Sequence, residues 1–289
     1  MTITTKSWGL SDQELAEKET PFAVDSFSGK RVLISGGGSG IGKATAWLLA
    51  RPGASVVICG RNEEKLINTA RPMQELGFNV TVKTLDIRDP DRVQRFFDEL
   101  FNQPGGLDVL INNAGGQFPK PAIDISPNGW KAVVDNNLNG TWFMMQAAAQ
   151  RWRNTQKPGN IINIVTVIDR GMPDIAHTCA ARAGVIYASK TVAVEWAQYG
   201  IRINCIAPGI IASEGMTVYP AEAVEAFPRS NPMQRFGSSW DIAQACVYLG
   251  SDASQFMTGE VMTLDGGGSL WGELWPFKKP DYFKESKID

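Results

Sequence analysis

A cluster of glycines near the start of the chain has the composition of a phosphate-binding loop. Residues 35–42 read Ser-Gly-Gly-Gly-Ser-Gly-Ile-Gly, at the end of the apolar segment 31–35 and directly before a helical pattern. A pyrophosphate binds backbone N–H groups at a helix N-terminus, where longer side chains would block its approach. A flexible surface loop also uses glycine, but the position between a strand and a helix favours a nucleotide site.

Apolar, β-branched segments alternate with longer amphipathic segments along most of the chain. The strand-like segments are 31–35, 54–60, 79–85, 107–113, 159–165, 202–207 and 260–266. This alternation predicts an α/β fold, a doubly wound parallel sheet of about seven strands flanked by helices. We predict a single domain at 28–270, an N-terminal extension at 1–27 with the helix-start signal Ser11-x-x-Glu14, and a C-terminal tail at 271–289.

Composition excludes several classes of protein. The 289 residues are 43% hydrophobic, which is enough for a substantial core. The net charge of −2 and the absence of a basic run exclude nucleic acid and an anionic membrane as expected partners. No apolar stretch approaches the roughly 20 residues of a membrane span, and neither end carries a recognisable targeting signal. A cytoplasmic location is therefore expected.

The residues that commonly bind metals are scattered. Cys59, Cys179, Cys205 and Cys246 form no Cys-x-x-Cys pair, and His177 is the only histidine. Reduced, buried thiols are expected in the cytosol. We therefore predict no metal site.

Five motifs occur in the order that is typical of the short-chain dehydrogenase/reductase family. They are the glycine loop 35–42, the Asn-Asn-Ala-Gly segment 112–115, Asn137 within Asn-Asn-Leu-Asn-Gly-Thr, the Pro-Gly pair 208–209 and the Asp-Gly-Gly segment 265–267. The chain resembles that family from Lys30 to Gly268. The resemblance implies a single-domain, Rossmann-like fold and a nicotinamide cofactor.

The end of the second strand bears on which nicotinamide cofactor is bound. NAD-using members of the family carry an acidic residue near Gly60. This chain has no acidic residue there, and Arg61 follows Gly60. The sequence therefore predicts NADPH/NADP+ as the cofactor, because the Arg61 guanidinium could pair with its 2′-phosphate. A solvated arginine that opens the next helix is the alternative, and Ser39 stands where some NADP-users have a basic residue. Asp86 resembles the carboxylate that contacts adenine, with a helix cap or a surface charge as its alternative. The predicted cofactor-binding residues are Ser35, Gly36, Gly38, Ser39, Gly40, Ile41, Gly42, Arg61, Asn62, Asp86, Ile87, Asn113, Ala114, Gly115, Arg182, Pro208, Gly209 and Ile211.

The catalytic positions depart from the family pattern of Asn, Ser, Tyr and Lys. The resemblance assigns Asn137 to the Asn position, Thr166 to the Ser position, Thr178 to the Tyr position and Arg182 to the Lys position. Arginine stays charged and can hold ribose hydroxyls. Threonine donates a hydrogen bond but is a very poor acid near neutral pH.

The segment Tyr-Ala-Ser-Lys at 187–190 offers a tyrosine and a lysine with the wrong spacing. The family's lysine precedes the Asn of its sixth strand by about 22 residues, as Arg182 precedes Asn204, whereas Lys190 lies eight residues too late. Eight helical residues correspond to about 12 Å. We therefore predict a structural role for Tyr187 and Lys190.

Loss of the tyrosine favours reduction of a C=C bond over reduction of a ketone. Hydride addition to Cβ of an enoyl thioester produces an enolate, which an oxyanion hole of hydroxyls can stabilise. The segment 177–184 is also similar to the peroxisomal trans-2-enoyl-CoA reductases and, more loosely, to the 2,4-dienoyl-CoA reductases. Ile168 occupies the position of the dienoyl enzymes' alternative tyrosine, which disfavours a dienoyl substrate. His177 is either a proton relay or a residue at the N-terminus of a helix whose side chain bonds to the backbone.

The sequence therefore predicts an NADPH-dependent trans-2-enoyl-CoA reductase. Its expected partners are an acyl-CoA-type substrate and further copies of itself in a homotetramer, because related members pair the helices near 127–152 and 177–198. The alternatives are an alcohol or carbonyl dehydrogenase that works without the tyrosine, and a non-catalytic NADP-binding homologue. Halide chemistry is a further alternative, because halohydrin dehalogenases resemble this fold and carry an arginine at the lysine position. Those enzymes keep the tyrosine and lack the glycine loop, whereas this chain lacks the tyrosine and keeps the loop, which disfavours halide chemistry.

Overall fold

The computed structural model describes residues 8–219 and 221–271, and a parallel sheet forms their centre. The strands in these ranges are β1 (Arg31–Ser35), β2 (Ser55–Gly60), β3 (Val80–Thr84), β4 (Val109–Asn112), β5 (Gly159–Ile164), β6 (Ile201–Pro208), β7 (Ile211–Ala212), β8 (Gly237–Ser238) and β9 (Val261–Leu264). Seven of them pair in parallel in the order β3-β2-β1-β4-β5-β6-β9, and β7 pairs with β8 in a short second sheet. The predicted sheet of about seven strands is confirmed.

The strand order reverses between β1 and β4. From β1 the chain adds β2 and β3 on one side, and then places β4, β5, β6 and β9 on the other. Such a reversal opens a crevice beyond the carboxyl ends of the strands, and ligands of open α/β sheets bind there. The glycine loop after β1 and the segment after β4 meet at this point, since Asn113 Nδ2 donates to the Gly36 carbonyl at 3.0 Å.

Two strands end earlier than their apolar sequence predicts, because side chains accept hydrogen bonds from the backbone at their ends. The predicted segment 107–113 shortens to β4 because the Asn113 and Ala114 N–H groups donate to Ser35 Oγ at 3.1 and 3.0 Å. The predicted segment 260–266 shortens to β9 because the Asp265 carboxylate accepts from the backbone of Gly267 and Ser269. Both turns lie at the crevice, so local polar chemistry determines where the strands stop.

Helices cover both faces of the sheet. They are α1 (Asp12–Glu17), α2 (Gly40–Ala50), α3 (Glu63–Glu75), α4 (Pro90–Phe101), α5 (Pro127–Val134), α6 (Gly140–Thr155), α7 (Ala176–Trp196), α8 (Ala221–Ala226) and α9 (Ser239–Gly250). One apolar cluster joins α2, α3 and α9 to the sheet, and a second joins α4, α6 and α7 to its other face. Within the described ranges no helix has the length and apolarity to cross a bilayer.

A chain of buried hydrogen bonds sets the position of α7 along the sheet. Asn112 on β4 donates to Asn163 on β5 at 2.8 Å, and Asn163 donates to Ser189 on α7 at 2.9 Å. All three side chains are buried. Because buried polar groups are costly when unpaired, this chain specifies one register for α7. It thereby positions Thr178 and Arg182, which lie on the same helix.

The described part of the N-terminal extension packs against α2. Ser11 and Glu14 form the capping box that their spacing predicts, and they begin α1. Asp12 accepts from Trp47 Nε1 at 3.1 Å, and Leu15 is buried in the core. The tail at 271–289 lies outside the described residues except for Trp271, which is exposed. The limits 28–270 of the single domain stay a prediction.

We expect Leu15→Ala to destabilise the folded protein. Truncation of a fully buried leucine removes apolar burial and leaves a cavity, at a cost of about 2–5 kcal/mol in the free energy of unfolding. Urea denaturation followed by circular dichroism measures the change. Ile123→Ala is the control, because Ile123 is 94% exposed. Equal midpoints for the two variants would show that the extension contributes nothing to the core.

Candidate functional site

Two adjoining cavities lie at the carboxyl ends of the strands. The larger has a volume of about 760 Å³ and follows the glycine loop, and the smaller has about 380 Å³ and lies beyond β5 and β6. They share the residues Ile41, Asn113, Gly115, Ser213 and Gly215. The arrangement provides a continuous cleft with room for a dinucleotide at one end and a second molecule at the other.

The larger cavity collects most of the residues that the sequence predicts to bind the cofactor. Those that line it are Gly36, Gly38, Ser39, Gly40, Ile41, Arg61, Asn62, Asp86, Ile87, Asn113, Ala114 and Gly115. Asn62 also accepts from the Lys65 N–H at 2.9 Å and so caps α3. The binding roles themselves stay predictions.

Two of the predicted residues shape the larger cavity without lining it. Ser35 is buried and its hydroxyl anchors the turn after β4. Gly42 lies so close to the glycine loop that a Cβ there would be 2.2 Å from the Gly36 carbonyl oxygen. Both residues therefore hold the loop and the turn together, and only glycine fits at position 42.

Charges around the larger cavity are unevenly paired. Asp86 forms an ion pair with Arg88 at 2.6 Å, and this hydrogen-bonded arginine lowers the pKa of the Asp86 carboxyl. Arg61 is exposed at the cavity and forms no ion pair or hydrogen bond with another described side chain. Lys65, which the sequence interpretation did not single out, lines the same cavity. An anion at this end would therefore meet two available cations.

The smaller cavity brings the four predicted catalytic residues together. Asn137, Thr166, Thr178 and Arg182 all line it, although they come from the turn before α6, the end of β5 and the helix α7. Pro208, Gly209 and Ile211, which were predicted to bind the cofactor, line the same cavity.

Asn137 lies in a π-helical turn, Asp135–Asn139, between α5 and α6. Its Oδ1 accepts from the Gly116 N–H at 3.1 Å, and its Nδ2 donates to the Gly116 carbonyl at 2.7 Å. Single π turns are frequent at functional sites because they redirect side chains. Here the turn aims Asn137 at the loop after β4 and fixes that loop across the cleft.

Arg182 is a buried cation that faces the cleft. Burial lowers the pKa of its guanidinium to about 10, so the group stays protonated at neutral pH. No hydrogen bond or ion pair joins this guanidinium to another described residue. A Cβ on Gly115 would be 2.2 Å from Arg182 Nη2, so a larger residue there would displace the guanidinium. Because a buried charge is costly without polar partners, the guanidinium is suited to bind a ligand.

The two threonines differ in their surroundings. Thr178 is 3% exposed, and its Oγ1 is 3.3 Å from Nδ1 of His177, which also accepts from the Thr178 N–H at 2.8 Å. Burial lowers the pKa of His177, which favours the neutral ring. Thr166 Oγ1 donates to the Pro208 carbonyl at 3.5 Å. Both hydroxyls lie at the cavity wall, whereas the His177 ring is buried behind Thr178.

Comparisons with known proteins identify the family. The family described as Enoyl-(Acyl carrier protein) reductase matches residues 36–269. The chain is 40% identical to a probable 2,4-dienoyl-CoA reductase of Bacillus subtilis over 253 residues, which cover 86% of this chain and 99% of the relative. The chain belongs to the short-chain dehydrogenase/reductase superfamily.

Other members of the superfamily show how widely its substrates vary. The 3-oxoacyl-(acyl-carrier-protein) reductase of Thermotoga maritima is 34% identical over 240 residues, which cover 83% of this chain and 97% of the relative. The structure of a gluconate 5-dehydrogenase from Burkholderia cenocepacia in complex with NADP and tartrate has a TM-score of 0.80 at 34% identity, covering 86% of this chain and all of that one. This chain is an oxidoreductase of the same superfamily.

Two tyrosines lie on or near the elements that form the site. Tyr187 is 69% exposed, lines neither cavity and has the ammonium of Lys190 5.5 Å from its ring centroid. Tyr219 lines the smaller cavity, and Gln117 donates a hydrogen bond to its hydroxyl. Sequence reasoning missed both Gln117 and Tyr219, which lie in loops whose local sequence carries no catalytic signal.

Glu214 contacts the N-terminus of α2 beside the larger cavity. Its Oε2 accepts from the Gly40 N–H at 2.8 Å, at the N-terminus of α2. This residue belongs to the 3₁₀ turn Glu214–Val218 and also lines the larger cavity. A carboxylate is stabilised there for the same electrostatic reason as a phosphate, so a phosphate that bound at this position would compete with Glu214.

We therefore expect Glu214→Gln to bind a nicotinamide dinucleotide about two- to fivefold more tightly, because removing one charge at a helix N-terminus changes binding by about 0.3–1 kcal/mol. Fluorescence titration with NADPH and NADH measures both dissociation constants. Glu222→Gln is the control, since Glu222 is exposed and lines neither cavity. Unchanged or weaker binding by Glu214→Gln would contradict the competition.

Proposed function

We propose that this protein catalyses the NADPH-dependent reduction of the C2=C3 double bond of a trans-2-enoyl-CoA thioester. The observation that carries the proposal is the meeting of Thr166, Thr178 and Arg182 in one cavity that adjoins the glycine-lined cleft. The resemblance of segment 177–184 to trans-2-enoyl-CoA reductases and the similarity to a probable dienoyl-CoA reductase support the same substrate class.

The residues of the cleft fit a nicotinamide dinucleotide. Glycines border the larger cavity, and the Arg182 guanidinium, which has no partner among the described residues, lies where the two cavities meet at Gly115. In this proposal the α2 N-terminus holds the pyrophosphate, Arg61 holds the 2′-phosphate and Arg182 holds the nicotinamide ribose. When bound, NADPH supplies the hydride for Cβ of the substrate.

The protein's own contribution is to polarise the thioester. In this proposal the hydroxyls of Thr166 and Thr178 turn away from their long contacts with the Pro208 carbonyl and His177 Nδ1, at 3.5 and 3.3 Å, and donate to the thioester oxygen, where negative charge develops as the enolate forms. Asn137 keeps the loop after β4 in place through Gly116. Threonine hydroxyls are too weakly acidic to protonate Cα, so the proton comes from another source.

The alternative function is an NAD(P)-dependent alcohol or carbonyl dehydrogenase. The similarity to a 3-oxoacyl reductase and to a gluconate 5-dehydrogenase favours it. A non-catalytic NADP-binding homologue is the third possibility.

The cytoplasmic location and the homotetramer also stay proposals. Exposed apolar side chains on α5 and α7, including Trp130 and Val194, support self-association.

We expect Arg61→Ala to weaken NADPH binding about ten- to hundredfold with little effect on NADH. The variant removes a charged hydrogen bond to the 2′-phosphate, worth about 1.5–3 kcal/mol. Isothermal titration of each nucleotide measures the effect, and Arg71→Ala on the exposed face of α3 is the control. Equal affinity of the parent protein for both nucleotides would contradict the preference for NADPH.

We expect the purified protein to oxidise NADPH with crotonyl-CoA and longer enoyl-CoAs but not with a panel of ketones.

Thr178→Val should lower kcat by about 10²–10³ while it spares NADPH affinity, because it removes one oxyanion donor. Arg182→Ala should reduce both kcat and affinity. Thr191→Val, an exposed change on the same helix, is the control. Ready reduction of ketones together with inactivity on enoyl-CoAs would establish the dehydrogenase alternative instead.

A further inference from the structure

Tyr219 combines an acidic side chain with a position at the substrate cavity. It follows the turn Glu214–Val218 and lines the same cavity as Thr178 and Arg182. Its ring packs edge-on against Phe227, with 5.4 Å between the ring centroids. The phenol is thus held against the cavity wall by an apolar contact that does not involve its hydroxyl.

A hydrogen bond connects this phenol to the loop that Asn137 holds. Gln117 Nε2 donates to Tyr219 Oη. The preceding residue, Gly116, is bonded to Asn137 through both its N–H and its carbonyl. The position of the hydroxyl is therefore coupled, through Gly116, to the π turn that contains Asn137.

The surroundings keep Tyr219 in its protonated form. Burial raises the pKa of the phenol, although the hydrogen bond from Gln117 opposes this effect. A neutral phenol can accept one hydrogen bond and still donate its own proton. It is also a far stronger acid than the threonine hydroxyls that line the same cavity.

We propose that Tyr219 is the proton donor to Cα in the enoyl reduction, an inference that rests on the proposed function. Hydride from NADPH forms the new C–H bond at Cβ, and the electron pair of the C=C bond moves into the enolate. As the enolate collapses, Cα forms a bond to the phenolic proton and the O–H bond of Tyr219 breaks. Water then returns a proton to the phenolate, so the net consumption is one NADPH and one proton per enoyl group.

The first test is the rate of crotonyl-CoA reduction by Tyr219→Phe. We expect kcat to fall by about 10²-fold or more, since a general acid typically contributes 10²–10⁴. The dissociation constant for NADPH should stay within about twofold. Tyr187→Phe is the matched control, because Tyr187 is exposed and lies outside both cavities. Gln117→Leu, which keeps the phenol but removes its hydrogen bond, should show a smaller loss.

The second test separates proton donation from a structural role. With 4-deuterated NADPH in D2O, the parent protein should give butyryl-CoA in which the C2 and C3 deuterium atoms have one relative configuration, read by NMR. Tyr219→Phe should give a mixture, because solvent then protonates the enolate from both faces. A purely structural role would slow the reaction without changing this configuration.

The outcomes for the two proposals are distinct. If the parent protein does not reduce crotonyl-CoA or longer enoyl-CoAs, the proposed function is wrong. If the parent is active and Tyr219→Phe retains its rate or its single configuration, the assignment of Tyr219 is wrong while the proposed function stands.

Discussion

The burial of the Arg182 guanidinium without a partner in the described chain is the constraint on which the site depends. A buried cation is strongly disfavoured unless polar groups surround it. The loop after β4 covers this cation with Gly115, where a Cβ would lie 2.2 Å from Nη2, so a larger residue would displace the guanidinium. Gly115 and Arg182 are therefore in contact where the two cavities meet, and the charge of the guanidinium faces the ligand that occupies the cleft.

The surrounding backbone is arranged to maintain this contact. Asn137 fixes Gly116 from one side, and the buried bonds from Asn112 through Asn163 to Ser189 fix α7 from the other. The bonds from Asn112 through Asn163 to Ser189 are buried, so the loss of one partner would leave a costly unpaired group. The loop and the helix are therefore held independently, and the distance between Gly115 and Arg182 follows from both.

One loop serves both ends of the cleft. Glu214 contacts the N-terminus of α2 beside the larger cavity, and five residues later Tyr219 lines the smaller one. The same region packs through Met216 and Phe227 into an apolar cluster that includes Trp8 of the N-terminal extension. Movement of this loop would change the nucleotide end and the substrate end together, and the packing of the extension resists such movement.

The sequence by itself determined the elements that arise from local patterns. The alternation of apolar strands and amphipathic helices predicted the parallel sheet, and the glycines at 35–42 predicted the loop that borders the larger cavity. The family resemblance also selected Thr178 and Arg182 over Tyr187 and Lys190, and the structure places the first pair in the smaller cavity and the second pair outside it. These signals are readable because each depends on residues within one element or on an ordered series of motifs.

Only the tertiary structure decided the contacts between distant loops. Gln117 and Tyr219 are 102 residues apart, and Gly40 and Glu214 are 174 apart, so no local periodicity or spacing relates them. The exact end of β4 was also unpredictable, because the Ser35 hydroxyl at the end of β1 accepts hydrogen bonds from the Asn113 and Ala114 N–H groups and stops the strand. Local propensity acts over a few residues, whereas these groups meet only after the sheet and its helices have packed.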